Sequence, residues 1–291
     1  MREWGRLITA MVTPFNKDMD VDYEKACDLA QGIVDDGTTA IVASGTTGES
    51  PTITQDEKYE LFRALKAKLN VPIIAGIGTN CTRATIETGK LAVKAGADGV
   101  LVVSPYYNKP NQQGLYAHFK AIAEAVDLPM MLYNVPSRTG GNMTAETTLA
   151  LSKIPNIVAM KEASGNIDQI TRIIAGCPKD FLVYSGDDAF TLPVMCAGGY
   201  GIVSVAAQVA GKQMRQMVDA FAKGDIDRAA NVHQRLNPLI NALFMTTNPI
   251  PVKAALKIMG RDAGGLRLPL TEADEKVKEA LKKELRTLGI I

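Results

Sequence analysis

An α/β fold, a (β/α)8 TIM barrel with a C-terminal helical extension, is predicted for these 291 residues by three observations. Eight short apolar runs start at intervals of 20 to 33 residues. The stretches between them carry apolar residues at helical spacing. The runs themselves lack polar alternation, as in Val100-Leu101-Val102-Val103, which marks strands buried on both faces of a parallel sheet. Eight β-α units is the count at which such a sheet closes on itself.

In chain order the strands are predicted over 7–13, 38–44, 71–76, 99–104, 129–135, 157–163, 181–185 and 201–206. Between the third and fourth, Ile86, Leu91, Ala92 and Ala95 form a helical stripe that ends at Gly96, a C-cap signal. Between the fourth and fifth, Leu115, Phe119, Ile122, Ala123 and Val126 form another. After the eighth strand the pattern turns purely helical, over 212–223, 225–244, 251–259 and 272–288. The expected division is a catalytic barrel over 1–223 and a helical domain over 224–291. The last helix mixes Glu275, Lys276, Lys278, Glu279, Lys282, Lys283 and Glu284, the pattern of a solvated face and not of a basic binding helix.

An open doubly wound sheet competes with the barrel, because periodicity does not reveal closure. Such a sheet normally has a Gly-rich turn after its first strand; here that strand runs into Thr13-Pro14-Phe15-Asn16. The nearest approach to a dinucleotide fingerprint, Gly76-Ile77-Gly78-Thr79-Asn80-Cys81, fails at its third glycine. Gly198-Gly199-Tyr200-Gly201 near the eighth strand leaves a phosphate cradle, and with it a flavin or other phosphate cofactor, open as a different class of reading.

Charge and composition exclude several functions. Lys+Arg 32 against Asp+Glu 31 leaves +1, with no basic excess to grip a nucleic acid. Two histidines, His118 and His233, give no His-rich metal site, so no metal is expected. Cys27, Cys81, Cys177 and Cys196 contain no C-x-x-C and read as free thiols in a reducing, cytoplasmic setting. Residues 1–17 show no signal peptide. Residues 189–211 are uncharged and long enough to cross a bilayer. Pro193, Gly198, Gly199, Gly201 and Gly211 punctuate them, however, so a buried barrel segment is expected and no membrane.

Chemistry is expected at the C-terminal ends of the strands. The sixth strand reads Ile157-Val158-Ala159-Met160-Lys161-Glu162-Ala163. With period two, Lys161 shares a face with Ala159 and Ala163, while Val158 and Met160 face away. A lysine so placed either snorkels from the barrel mouth or pairs with a carboxylate, or it is an amine kept neutral by desolvation to attack a carbonyl. The last role needs its pKa brought from about 10.4 to about 7, within reach of burial. Tyr133 is the fifth residue of its strand as Lys161 is of the next, so the two reach one space. There a phenol can shuttle protons, although a purely structural tyrosine reads equally from the position. Gly45-Thr46-Thr47-Gly48-Glu49 after strand two can turn N–H and hydroxyl donors toward a small anion, or be a bare turn. Arg138, after strand five, suits a carboxylate, or solubility alone. Asp187 and Asp188 are adjacent and make a poor metal pair. Tyr106 and Tyr107 are exposed loop aromatics that fit an interface or an active site.

Gly45-Thr46-Thr47-Gly48-Glu49, Tyr133-Asn134-Val135-Pro136, Lys161-Glu162-Ala163 and Ser185-Gly186-Asp187-Asp188 are spaced as in the pyruvate-dependent class I lyases. The chain resembles more narrowly the dihydrodipicolinate synthase family, through to Asn248-Pro249-Ile250-Pro251-Val252-Lys253. The resemblance implies a Schiff base between Lys161 and pyruvate, whose enamine attacks L-aspartate 4-semialdehyde on the way to 4-hydroxy-tetrahydrodipicolinate. Tyr133, Thr46 and Tyr107 match the family's proton relay, with the tyrosine at Tyr107 coming from a neighbouring subunit. Thr47 and the backbone at Val203 match its pyruvate-binding positions, with Gly186 nearby, and Arg138 matches the holder of the aldehyde's carboxylate. A homotetramer built as a dimer of tight dimers, with no cofactor, is implied as well.

Where lysine-inhibited members have histidines and a glutamate, this chain has Gln55, Lys58 and Ala84, although Asn80 and Tyr106 are kept. Weak or absent lysine feedback is therefore expected. Related Schiff-base aldolases, such as N-acetylneuraminate lyase or 2-keto-3-deoxygluconate aldolase, would share Lys161 and Tyr133 but need a sugar-binding mouth. Arg138 within Ser-Arg-Thr-Gly favours the dicarboxylate route.

Overall fold

Eight parallel strands close on themselves: β1 (Leu7–Ala10), β2 (Ala40–Ala43), β3 (Ile73–Gly76), β4 (Gly99–Val103), β5 (Met130–Asn134), β6 (Ile157–Glu162), β7 (Leu182–Ser185) and β8 (Gly201–Ser204). Each pairs with its sequence neighbours, and β8 pairs with β1 through Ile8↔Val203, which removes the open sheet as a competitor. This computed structural model describes residues 4–291; the first three residues of the stretch read as lacking a leader lie outside it.

Most predicted strands overrun the observed ones at their C-terminal ends, and for a physical reason. One residue beyond β1, Met11 N–H still donates to Val42 O at 3.1 Å, but at Val12 a side chain takes over from the ladder: Val12 N–H donates to Gln208 Oε1 at 2.9 Å. The strand tips thereby become the turns that carry the polar groups.

Alternation along the strands divides the core into two layers. Ile8, Ala10, Val42, Ile74, Leu101, Met131, Tyr133, Ala159, Tyr184 and Val203 fill the barrel interior, and Trp4 joins them. Leu7, Ile41, Ile73, Val100, Leu132 and Met160 face outward into the larger layer under the helices. Val158 departs from the expected outward orientation and packs half-buried against the interior. The β5–β6 register shifts between Met130 and Met131, so that Met130 faces Ile157 and Met131 faces Ala159, with Val158 as the extra residue. That shift sets Tyr133 opposite Lys161.

The helix Gln112–Ala125 buries Leu115, Phe119, Ile122 and Ala123 as expected. The helix Thr82–Lys94 follows its predicted stripe in part: Ala92 and, at its C-cap, Ala95 are buried, but Thr85, Thr88 and Gly89 complete the buried face and Ile86 and Leu91 are only half-buried. The threonines hide their hydroxyls by bonding back to Cys81 O and Ala84 O, so apolar identity alone gives only part of the face. Gly96, at φ 78°, ends the helix in the left-handed conformation the sequence predicts.

The predicted helix over 212–223 begins earlier, at Ala207, and runs to Ala222 with a break at Ala210. Its start is capped by Ser204 Oγ, which accepts from Ala207 N–H at 2.8 Å. The helices Ile226–Leu243, Ile250–Ile258 and Glu275–Thr287 follow. No helix among the described residues is long and apolar enough to cross a membrane. Gly198-Gly199-Tyr200-Gly201 leads into the first residue of β8 and so lies at the barrel end away from the C-terminal strand tips. A Cβ on Gly199 would strike Val194, and one on Gly201 the Arg6 backbone. These glycines serve close packing, which overturns the phosphate-cradle reading.

Candidate active site

Lys161 sits near the C-terminal end of β6, 5% exposed, with Nζ 4.4 Å from the centre of the Tyr133 ring. No described residue hydrogen-bonds or ion-pairs with it, so the snorkelling and carboxylate-paired alternatives fail. Burial lowers its pKa from 10.5 to about 8; Asp188 and Asp187 pull the other way and Arg138 adds to the lowering. At a pH of about 7.5, roughly a quarter of such amines are neutral, against about one in a thousand for an unperturbed lysine. Room for the stem comes from Gly186, because a Cβ there would lie 3.0 Å from Lys161 Cγ and 3.1 Å from Cε.

Tyr133 is also buried. Burial raises its pKa to about 12, with Arg138 and the Thr46 hydroxyl opposing and Asp187 and Glu162 assisting. It therefore keeps its proton at neutral pH and can donate to an oxygen or nitrogen beside it. Next along the strands, Glu162 accepts from Asn134 Nδ2 at 3.1 Å and Ser164 N–H at 2.6 Å, a network that holds the β5 and β6 tips together.

Asp188 is fully buried and is an N-terminal anchor, which its sequence neighbourhood did not disclose. It accepts from Ser204 Oγ, from Val205 N–H at 3.0 Å and from Ala206 N–H at 3.1 Å. This fixes the chain just beyond Val203. Thr47 is buried, and its Oγ1 accepts from Asn248 Nδ2 at 2.9 Å. Ser44, just before the 45–49 loop, and Glu49, at its end, are both at positive φ (54° and 55°), an uncommon state for residues other than glycine.

A cavity of about 330 Å³ opens at this end of the barrel, lined by Thr46, Tyr133 and Arg138 together with Tyr106, Thr79 and Lys58. Arg138 is exposed and has no ion-pair partner among the described residues, so its guanidinium is free for a carboxylate. Tyr107 stands apart: it is 89% exposed, at φ 72°, and does not line the cavity. Lys58 is 6% exposed, and burial lowers its pKa to about 8.

A buried amine of lowered pKa, a protonated phenol beside it and a free guanidinium at the mouth suit imine chemistry on a carboxylated carbonyl compound. The sequence model of the Dihydrodipicolinate synthetase family matches residues 3–288. The chain belongs to that family. It is 54% identical to the 4-hydroxy-tetrahydrodipicolinate synthase of Moorella thermoacetica over 99% of this chain and 100% of the relative. It is 52% identical to the synthase of that name from Dehalococcoides mccartyi, over 98% and 97%. Among solved structures, the enzyme of Cyanidioschyzon merolae with lysine bound superposes with a TM-score of 0.97 at 48% identity, covering 99% of each chain. A dihydrodipicolinate synthase from Bacillus anthracis gives 0.96 at 47% identity, over 98% of this chain and 99% of its own.

Proposed function

We propose that the chain is a 4-hydroxy-tetrahydrodipicolinate synthase, condensing pyruvate with L-aspartate 4-semialdehyde in diaminopimelate and lysine biosynthesis. The observation that carries this reading is Lys161, a buried amine with no partner among the described residues, beside Tyr133 in a family of synthases.

In this mechanism neutral Lys161 adds to the keto carbon of pyruvate. The carbinolamine loses water to give the imine, with Tyr133 supplying and recovering the proton. Loss of a methyl proton yields the enamine, which forms a carbon–carbon bond to the semialdehyde carbon. The amino group of the condensed product then displaces Lys161 by transimination, closing the ring and freeing the enzyme. Thr47 and the backbone at Val203 bind the pyruvate carboxylate, with Gly186 beside them. Arg138 takes the carboxylate of the second substrate, and Thr46 links Tyr133 to Tyr107 in the proton relay.

Tyr107 enters the relay from a neighbouring subunit. Its exposure and its place outside the cavity of its own chain support that assignment, and the family resemblance implies a homotetramer made as a dimer of tight dimers. The four cysteines, all free, suit a cytoplasmic enzyme. The reading is tested by assaying one preparation with pyruvate plus L-aspartate 4-semialdehyde, and separately for cleavage of sialic acid and of ketodeoxygluconate. Turnover confined to the first pair is expected; turnover confined to a sugar acid would replace this function with a related aldolase.

A further inference from the structure

The helical extension reaches into the floor of the 45–49 loop at two points. Glu49 and Lys253 form an ion pair of 2.7 Å with side chains 1% and 3% exposed. Lys253 Nζ also donates to Gly265 O at 2.6 Å, and the Arg267 N–H donates to Glu49 Oε2 at 3.0 Å. One residue before the helix-entry turn at Pro249, Asn248 Nδ2 donates to Thr47 Oγ1, both side chains being buried.

A threonine hydroxyl has one proton to give. With the amide of Asn248 donating to its oxygen, and with no described residue accepting from it, that proton stays available to a further acceptor. We propose that Asn248, 201 positions away in sequence, is a positioning residue for pyruvate: it holds Thr47 as a donor to the substrate carboxylate, while the Glu49–Lys253 pair anchors the loop to the same extension. This rests on the reading of Thr47 as a pyruvate contact.

The test is a double-mutant cycle read as KM for pyruvate against kcat, in Asn248→Ala, Thr47→Val and the pair, with Asn248→Asp as a variant of unchanged shape. Asn248→Ala is expected to raise KM for pyruvate about three- to tenfold, the worth of one hydrogen bond, with kcat changed less. On the Thr47→Val background it should add nothing further. Asn248→Asp can only accept, so it captures the Thr47 proton, sets a negative charge near the carboxylate, and raises KM more than alanine does. An Asn248 effect of equal size with and without Thr47, or no rise in KM for Asn248→Asp, would overturn the inference. Should Asn248→Ala fail to fold, the aspartate variant decides alone. Unchanged KM in Thr47→Val would overturn the Thr47 assignment and this inference together, whereas imine formation at Lys161 is read independently of both.

Discussion

Gly186 and Lys161 occupy the same space: a methyl group on Gly186 would sit 3.0 Å from Lys161 Cγ and 2.8 Å from the Ala163 Cβ. The absence of a side chain on β7's far end is what lets the β6 lysine lie in the barrel. Gly186→Ala should therefore fold but displace the amine, at a cost of about 1–3 kcal/mol in stability from overpacking. A fall of at least about tenfold in kcat, larger than the change in thermal midpoint suggests, is expected. Wild-type turnover in this variant would show that the lysine's position is not set by Gly186.

Tyr133→Phe keeps the ring whose centre lies 4.4 Å from Lys161 Nζ and removes only the hydroxyl. Turnover should drop about 10²–10⁴-fold, the range for a lost general acid–base. Imine formation should slow in parallel, yet still reach completion on Lys161. Stopped-flow and single-turnover measurements separate the two; equal rates for tyrosine and phenylalanine would take the phenol out of the relay.

Tyr107→Phe is expected to slow turnover although the side chain lies outside its own subunit's cavity. Mixed assemblies of Tyr107→Phe with Lys161→Ala protomers should recover part of the activity, because one site then receives both intact groups. If kcat is unchanged in the single variant, Tyr107 leaves the relay; if mixing restores nothing, its delivery across an interface is wrong.

Lys58 presents a cation, still mostly protonated at pH 7 with a pKa of about 8, to the cavity that Tyr106 also lines. A second ammonium is repelled there, and Ala84 provides no carboxylate to receive it. L-lysine titrated into the assay should leave the rate nearly unchanged. Half-inhibition at sub-millimolar lysine would contradict this.

Much of this was legible in the chain because it rests on period and position. Continuous apolar runs marked the strands, and period two placed Lys161 with Ala159 inside the barrel. Counting from the strand starts put Tyr133 at the same depth, a match that the Val158 irregularity completes. What stayed hidden depends on contacts without local pattern. Asp188 looked like half of a poor metal pair and is in fact a cap for residues 16 to 18 positions later. Nothing near Asn248 or Lys253 reveals that they reach Thr47 and Glu49. The Thr82–Lys94 face was read only in part, at Ala92 and Ala95, because back-bonded threonines bury like apolar residues.

The most direct measurement is reduction with borohydride in the presence of pyruvate, followed by peptide mass mapping across a pH series. The Lys161 pKa is lowered in the folded protein, so the neutral, reactive amine accumulates as pH rises through about 8. The same shift means that the charged form burdens the fold below about 8, and that this burden disappears as pH approaches the unfolded value of 10.5. The expected result is a single pyruvate adduct on the peptide carrying Lys161, its rate of formation rising with a midpoint near 8 and absent in Lys161→Ala. An adduct on another peptide, no adduct, or a midpoint at the ordinary lysine value would contradict the Schiff-base assignment.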